Sequence, residues 1–185
     1  MRIIAGQFRG RRLLSPQGAA IRPTSDRARE ALFDILEHGE PRPRGARFLD
    51  LFCGTAAVGI EACSRGAAEV LLIESDPEAL RLAKANLARI GTPPHARLMA
   101  GDAARLGVAP QRFDLVFLDP PYRSGLALPA LAGLRAGWLA PGARIVLEMA
   151  AKETLDLPDG FDVEQERRYG AARFTFLRPQ TDGSP

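Results

Sequence analysis

The sequence predicts an α/β domain built on a parallel sheet that helices cover on both faces. From residue 47 onward, short apolar runs typical of buried strands alternate with helical patterns. A glycine-containing loop joins the first of these strands to the helix that follows it. The last two strand patterns are joined through Gly170, which predicts an antiparallel hairpin at one edge of the sheet.

The bulk composition is that of one compact domain. The chain has 185 residues, of which 46% are hydrophobic and 25% charged. Its apolar runs stay below the roughly 18 residues needed to span a bilayer, and the N-terminus lacks the apolar core of a secretory signal. Cys53 and Cys63 do not form a C-x-x-C pair. We therefore expect a cytoplasmic protein with reduced thiols and no bound metal.

The N-terminal part has its own pattern. Residues 2–14 predict a short hairpin or irregular strand pair, and the stretch RPTSDRAREALFDIL predicts a helix capped by Thr24 or Ser25. Residues 37–46 form a linker rich in proline and glycine. We therefore divide the chain into an N-terminal extension at 1–45, a main domain at 46–178 and a disordered tail at 179–185.

Strand and helix patterns alternate through the main domain. Asp76 as the cap and Pro77 in the first turn mark the start of one of its helices. The predicted strands cover 47–52, 69–75, 96–100, 113–119 and 143–149, then 161–170 and 171–179 in the closing hairpin. The predicted helices cover 56–65, 76–90 and 126–137.

The loop after the first strand predicts a nucleotide-type ligand. Gly54 and Gly59 allow the backbone to approach a ligand closely. Glu74 ends the second strand twenty residues after Gly54, where a carboxylate can bind ribose hydroxyls. Ala56 replaces the middle glycine of the dinucleotide-binding pattern. By itself the loop suits NAD and S-adenosylmethionine equally.

One further acid favours the methyl donor, and another suits an adenine. Asp50 precedes Gly54 by four residues, and at 4 Å it would repel a phosphate by about 4 kcal/mol, whereas it attracts an ammonium and a sulfonium group. Asp102 follows the third strand and could accept a hydrogen bond from an adenine amine. The alternatives are a loop-bracing or helix-capping role for Asp50, a solvated strand end for Glu74 and an exposed loop acid or cap for Asp102.

The fourth strand runs into Asp119-Pro120-Pro121-Tyr122. The Asp119 carboxylate and the Pro120 carbonyl could accept from both hydrogens of an exocyclic base amine and direct its lone pair toward a sulfonium methyl group. Pro121 would fix the direction of that carbonyl, because its ring fixes φ. Tyr122 could stack on the base, worth ~1–3 kcal/mol. The alternative is a structural turn with a buried tyrosine.

Positive charge is concentrated at the N-terminus. Residues 1–29 contain seven arginines and one aspartate, a balance of +6, although the whole chain carries only +3. A one-sided cationic segment is typical of a protein that contacts a polyanion such as nucleic acid, and the alternative is an ordinary solvated surface.

Three stretches and the DPPY motif together resemble one family. RIIAGQFRGRRL, RPTSDRAREALFDIL and FLDLFCGTAAVGIEACSRGA are similar to the RsmD-type bacterial 16S rRNA guanine-N2 methyltransferases, over residues 2 to about 178. The resemblance implies a Rossmann-like S-adenosylmethionine-dependent methyltransferase sheet of seven strands whose last hairpin is antiparallel. It implies methylation of a guanine amine in small-subunit ribosomal RNA within a partly assembled particle, without a metal. We expect a monomer.

Carried over position by position, the resemblance gives each candidate residue a role. Ala56 stands where the family usually has glycine. A Cβ at this position is tolerated if φ is negative, but it would narrow the donor pocket. The cofactor contacts would be Asp50, Gly54, Gly59, Glu74 and Asp102, and the catalytic residues would be Asp119, Pro120, Pro121 and Tyr122. The residues that bind RNA phosphates beside the active site would be Arg9, Arg11, Arg12, Arg22 and Arg27, and Arg29 would extend that surface.

Three other functions remain open from the sequence. The chain could methylate another nucleic-acid amine such as N6 of DNA adenine, although it has no room for a DNA-recognition domain. It could be an NAD-dependent oxidoreductase, against which Asp50 and the DPPY motif argue. It could also be a noncatalytic RNA-binding assembly factor that keeps the fold.

Overall fold

The computed structural model describes residues 1–16 and 25–180, and a seven-stranded sheet organises them. The strands are β1 (Arg47–Leu51), β2 (Glu69–Glu74), β3 (Ala96–Ala100), β4 (Phe113–Leu118), β5 (Leu139–Ala150), β6 (Phe161–Tyr169) and β7 (Ala172–Pro179). The helices are α1 (Asp26–Glu37), α2 (Ala57–Ser64), α3 (Pro77–Arg89) and α4 (Ala127–Leu134).

The strand order is β3-β2-β1-β4-β5-β7-β6, with β1 to β5 parallel and β7 antiparallel to both of its neighbours. The predicted Rossmann-like sheet with an antiparallel closing hairpin is therefore confirmed. The order reverses between β1 and β4, which makes their carboxyl ends the switch point where α/β sheets bind ligands.

Helix starts follow the predicted capping residues. Ser25 is the N-cap of α1 and accepts a hydrogen bond from the Ala28 N–H at 3.1 Å, whereas Thr24, the other candidate, lies outside the described residues. Asp76 caps α3 in the same way, accepting from Ala79 at 2.8 Å. Each cap satisfies one of the backbone donors that the first helical turn leaves unpaired.

Strand β5 begins earlier than the sequence indicates. It starts at Leu139 rather than 143, because Leu139 pairs with Phe113 before a register shift between Phe113 and Leu115. Pro141 and Gly142 in this stretch resemble a turn, and the irregularity in the ladder lets the strand carry them.

The N-terminal segment is attached to α2 rather than forming a free hairpin. Arg2 and Arg12 form one isolated antiparallel bridge. The N–H groups of Ile4 and Ala5 donate to the buried Glu61 carboxylate of α2, at 2.8 and 3.0 Å. A segment too short for its own core is thus held by a side chain of the main domain.

Two hydrophobic clusters lie on opposite faces of the sheet. Phe48, Phe117 and Phe174 pack with α1, α2 and α3 on one face. Leu49 and Trp138 pack with α4 on the other, as expected for strands buried on both sides. None of the helices within the described ranges is long and apolar enough to cross a membrane.

The chain end continues the sheet. Strand β7 reaches Pro179, and the Gln180 N–H donates to the Gly160 carbonyl at 2.9 Å. Residues 181–185, which belong to the predicted tail, lie outside the described part of the chain.

Candidate active site

A cavity of about 580 Å³ opens at the carboxyl edge of the parallel strands. Its walls come from the loops after β1, β2, β3 and β4, from the start of α1, from β5 and from the β6–β7 turn. Of the predicted donor and catalytic residues, those that line it are Asp50, Gly54, Glu74, Asp102, Asp119, Pro120, Pro121 and Tyr122. The structure therefore brings the two predicted sites into one space.

The loop between β1 and α2 is tightly wound. Phe52, Gly54 and Ala56 all have positive φ, of 58°, 51° and 62°. The Ala56 N–H donates to the Cys53 carbonyl at 2.7 Å, which closes the turn just before α2. Ala56 therefore does not have the negative φ at which a Cβ is tolerated. Its methyl group is buried and does not line the cavity, so it strains the backbone rather than narrowing the pocket.

Glu74 connects the donor loop to the next loop of the sheet. One carboxylate oxygen accepts from the Gly54 N–H at 2.8 Å, and the other accepts from Ser75 and Asp76 at 2.8 and 2.9 Å. The side chain is buried except where it lines the cavity. It therefore fixes the loop while presenting carboxylate oxygens to a ligand.

Asp50 is buried at 1% exposure and accepts from the Gly59 N–H at 2.8 Å. Burial raises the pKa of this carboxyl group to about 7, against the opposing effect of the Gly59 hydrogen bond, and the charge of Glu74 raises it further. The loop-bracing alternative for Asp50 thus describes part of its role, since it both braces α2 and lines the cavity.

Gly59 lies behind the cavity rather than in its wall. A Cβ at this position would lie 2.2 Å from Leu72 Cδ2 and 3.1 Å from Asp50 Oδ2. Glycine is required there so that α2 can pack against β2 and keep its N–H on Asp50. Its link to a ligand is indirect, through the carboxylate that it positions.

Asp102 occupies the outer rim of the cavity. It is exposed, accepts from the Ala104 N–H at 2.9 Å and lies 3.7 Å from Arg105 Nε. The exposed-loop alternative fits these contacts, and its place in the cavity wall also fits a contact with an adenine.

The DPPY motif lines the same cavity from the end of β4, next to β1. The Asp119 N–H donates to the Leu51 carbonyl at 3.3 Å, which joins the motif to the end of β1. Pro120 is buried, and Tyr122 is 37% exposed on a turn in which the Ser124 N–H donates to Pro121. The tyrosine ring is therefore placed at the cavity wall and not in the core, as base stacking requires.

Glu148 is a cavity residue that the sequence analysis missed. It lies on β5, is 4% exposed and faces the same space as Asp119. Burial raises the pKa of Asp119 well above its usual range, and the charges of Glu148 and Asp50 raise it further. The signal was an acid near the carboxyl end of an apolar strand, in ARIVLEM.

Burial makes the thiols of Cys53 and Cys63 unreactive. Cys53 lines the cavity and Cys63 is buried in α2. Burial is the main cause that raises the pKa of Cys53 well above its usual range and the pKa of Cys63 to about 12. Neither forms a thiolate near neutral pH, so a covalent cysteine mechanism is not supported.

Over residues 1–16 and 25–180, no group of three or more metal-ligating side chains converges.

The N-terminal arginines lie on the segment that docks on α2 and α3. Arg9, Arg11 and Arg12 are exposed, and Arg11 contacts the Arg89 carbonyl at 3.5 Å. Arg89 ends α3, and Asn86, one turn earlier, donates to the carbonyl of Thr55, which lines the cavity, at 2.9 Å. The position of these arginines beside the active site stays a prediction.

The remaining arginines divide three ways. Arg27 is exposed next to Ala28, which lines the cavity. Arg22 lies outside the described residues. Arg29 is fully buried, 3.0 Å from Asp26 and 3.8 Å from Glu61, so the expectation that it extends the RNA surface is wrong. Its charge pairs with the buried Glu61 carboxylate and with the partly exposed Asp26.

Comparison with known proteins decides the family. The chain matches the model of Cons_hypoth95, "Conserved hypothetical protein 95", over residues 1–178. The chain belongs to this family. It is 36% identical to Ribosomal RNA small subunit methyltransferase D of Escherichia coli, covering 99% of this chain and 92% of that protein. The protein of the same name from Haemophilus influenzae is 34% identical, covering 94% and 91%. The resemblance to the RsmD methyltransferases is confirmed.

Solved structures agree with this family. The Escherichia coli protein yhhF superposes with a TM-score of 0.84 at 33% identity, covering 98% of this chain and 99% of that one. The Thermus protein TTHA0928 gives 0.75 at 39% identity, covering 95% and 98%. Sequence relatives and solved structures that cover nearly the whole chain therefore support both the fold and the methyltransferase class.

Proposed function

We propose that this protein transfers a methyl group from S-adenosylmethionine to the exocyclic N2 amine of a guanine in 16S ribosomal RNA. The observation that carries the proposal is the shared cavity, which both the Asp50–Glu74 donor wall and the DPPY turn line. The relatives named for small-subunit ribosomal RNA methylation support the substrate class.

The donor wall suits a cationic nucleoside. S-adenosylmethionine supplies a methyl group on a positively charged sulfur and carries an ammonium group and a ribose. Asp50 attracts the positive charges, Glu74 accepts from ribose hydroxyls and Asp102 accepts from the adenine amine. A volume of about 580 Å³ lies within the range of small-molecule sites. A bound cation would also favour ionisation of the acids that crowd this cavity.

The acceptor wall suits a base amine that must be made nucleophilic. Asp119 and the Pro120 carbonyl accept from the two amine hydrogens, so the nitrogen lone pair points away from them and into the cavity. Tyr122 stacks on the base. As the new N–C bond forms and the S–C bond breaks, the departing pair stays on sulfur, and Asp119 takes up the proton that the nitrogen loses.

The RNA is held by more than the cavity. Arg27 contacts phosphates near the target base, with Arg22 five residues earlier in the sequence, and Arg9, Arg11 and Arg12 contact further phosphates of a structured RNA. The guanine turns out of its stack to reach Tyr122. In this proposal residues 1–45 mainly hold RNA and residues 46–178 carry out the transfer. The protein acts as a monomer, and its substrate is the small ribosomal subunit or a precursor of it.

The test is transfer of a labelled methyl group to 16S rRNA, small ribosomal particles, duplex DNA and protein. The RNA and particles come from a strain that lacks its own enzyme for this modification. We expect label in RNA or particles only, as N2-methylguanosine by nucleoside mass spectrometry. N6-methyladenosine in DNA would overturn the substrate, and absence of transfer to every candidate would overturn the activity.

Asp119→Ala is the matched loss-of-function variant. Losing an acceptor aimed at the reacting group lowers transfer by about 100- to 1,000-fold. Calorimetry should show that S-adenosylhomocysteine still binds, because the proposed donor contacts are made by Asp50, Glu74 and Asp102. Asp156→Ala, an exposed acid outside the cavity lining, is the control and keeps full activity.

A further inference from the structure

Glu148 and Asp119 occupy equivalent places on neighbouring strands. Leu118 of β4 pairs with Leu147 of β5, so the next residue of each chain segment is an acid. Side chains alternate along strands, and both acids therefore share the sheet face of Phe117, which also lines the cavity. The structure thus presents two adjacent carboxyl groups to whatever base enters.

Guanine presents two adjacent donors on its Watson–Crick edge. Its N1–H lies directly beside the N2 amine that is to be methylated, whereas N1 of adenine carries a lone pair. An ionised carboxylate is an acceptor only. When both groups are ionised, as a bound cation would favour, two neighbouring carboxylates are complementary to guanine, and one of them would face a lone pair if adenine entered.

We propose that Glu148 selects guanine by accepting a hydrogen bond from its N1–H while Asp119 and Pro120 hold the N2 amine. The inference rests on the proposed function, since it concerns the same base. Specificity arises by attraction to guanine and by repulsion of a base whose N1 is an acceptor. The influence of the Glu148 charge on Asp119 supports the closeness of the two groups.

Base analogues isolate the N1 contact. After the target nucleotide is mapped, synthetic RNA is ligated into the substrate with guanine, 2-aminopurine or 2,6-diaminopurine at that position. Both analogues keep the N2 amine and replace N1–H by a lone pair. We expect the wild-type protein to prefer guanine in kcat/KM by at least about tenfold over either analogue, because a buried charged acceptor loses its donor.

Glu148→Gln should remove this preference. The amide has nearly the same shape and can either accept from N1–H or donate to an N1 lone pair. We expect activity on guanine to fall and the preference over both analogues to shrink to within about threefold. Glu30→Gln, an exposed acid on α1, is the charge-matched control and should keep the wild-type preference.

The outcomes separate the two ideas. Equal wild-type activity on guanine and both analogues overturns the role of Glu148, even if the variant does not fold. A folded Glu148→Gln protein that loses activity on all three bases in equal proportion overturns it too, since that is the result of a purely structural role. If no guanine in any RNA is methylated, the proposed function fails and this inference fails with it.

Discussion

The donor wall and the acceptor wall of the cavity are built by different means. The acids of the donor wall are held by backbone N–H groups, Asp50 by Gly59 and Glu74 by Gly54, Ser75 and Asp76. On the acceptor wall, Tyr122 is 37% exposed on a turn at the surface. One wall is thus fixed before any ligand binds, whereas the other leaves room for a base to enter.

The difference suits the two proposed ligands. A methyl donor is the same molecule in every turnover, so a rigid, preorganised wall reduces the entropy lost on binding. A base within a large RNA must be turned out and admitted from one side, so an exposed aromatic ring is more useful than an enclosed one.

The donor wall should destabilise the empty protein as the pH rises. Folding raises the pKa of Asp50 from 3.8 to about 7, so the folded protein keeps a proton that the unfolded chain releases between these values. The associated stability is complete below pH 3.8 and is lost as the pH rises toward 7, on the order of 3 to 4 kcal/mol. Asp50→Asn keeps the acceptor for Gly59 and should remove most of this loss.

Urea unfolding at pH 4.5 and pH 8 measures this effect. The wild-type free energy of unfolding should fall between the two values, and that of Asp50→Asn should fall less. A residual slope is expected, since the pKa of Asp119 is raised as well. Asp114, whose pKa is lowered mainly by its hydrogen bond to Arg47, acts in the opposite direction but only below its usual range. Identical slopes for both proteins would show that Asp50 is ionised normally.

Glu74→Ala should disorganise the donor loop. It removes the acceptor of three backbone N–H groups and the proposed ribose contact, so the affinity for S-adenosylmethionine should fall about 10- to 100-fold. Calorimetry measures this directly. Glu69→Ala, at the opposite end of the same strand, is the control. Equal affinities of the two variants would mean that the donor wall does not depend on Glu74.

The sequence predicted the shared cavity because topology required it. Asp50 and Asp119 end adjacent parallel strands at the point where strand order reverses, and both strands could be recognised from their apolar runs. Glu148 escaped notice because a single acid in an apolar run does not show which face it takes until the strand register is known.

Other features depended on contacts between distant segments. Arg29 falls among the polar positions of α1 in the sequence, yet Glu61 of α2 makes its burial possible. The contact of Arg11 with the end of α3 follows from the docking of the first residues on α2 and α3, which no local pattern encodes. The positive φ of Ala56 likewise reflects the geometry of a tight loop and not a preference of alanine.

The N-terminal arginines should affect RNA binding and leave the donor wall unchanged. Changing Arg11 and Arg12 together to Ala should weaken RNA binding and reduce the slope of log affinity against log salt by about 1.5, because two phosphate contacts are lost. Binding of S-adenosylhomocysteine should not change. Filter binding at several salt concentrations measures the slope.

A double variant of equal charge provides the comparison. Arg44→Ala with Arg112→Ala removes two exposed arginines that precede β1 and β4, at the sheet edge opposite the cavity. It should keep the wild-type slope. If both double variants lower the slope equally, RNA binding depends on net charge and the proposed positions of the arginines are wrong.

Ala56 allows the smallest test of the donor wall. A non-glycine residue at φ 62° costs about 1–2 kcal/mol, which Ala56→Gly would relieve. The same change loses a buried methyl group worth about 0.8 kcal/mol and adds freedom to the unfolded chain. We therefore expect a change in unfolding free energy of less than about 1 kcal/mol. Ala56→Val should cost more than about 2 kcal/mol, because a branched residue is poorly tolerated at positive φ and overpacks the site. If glycine is strongly destabilising, packing of the methyl group and not backbone geometry governs this loop.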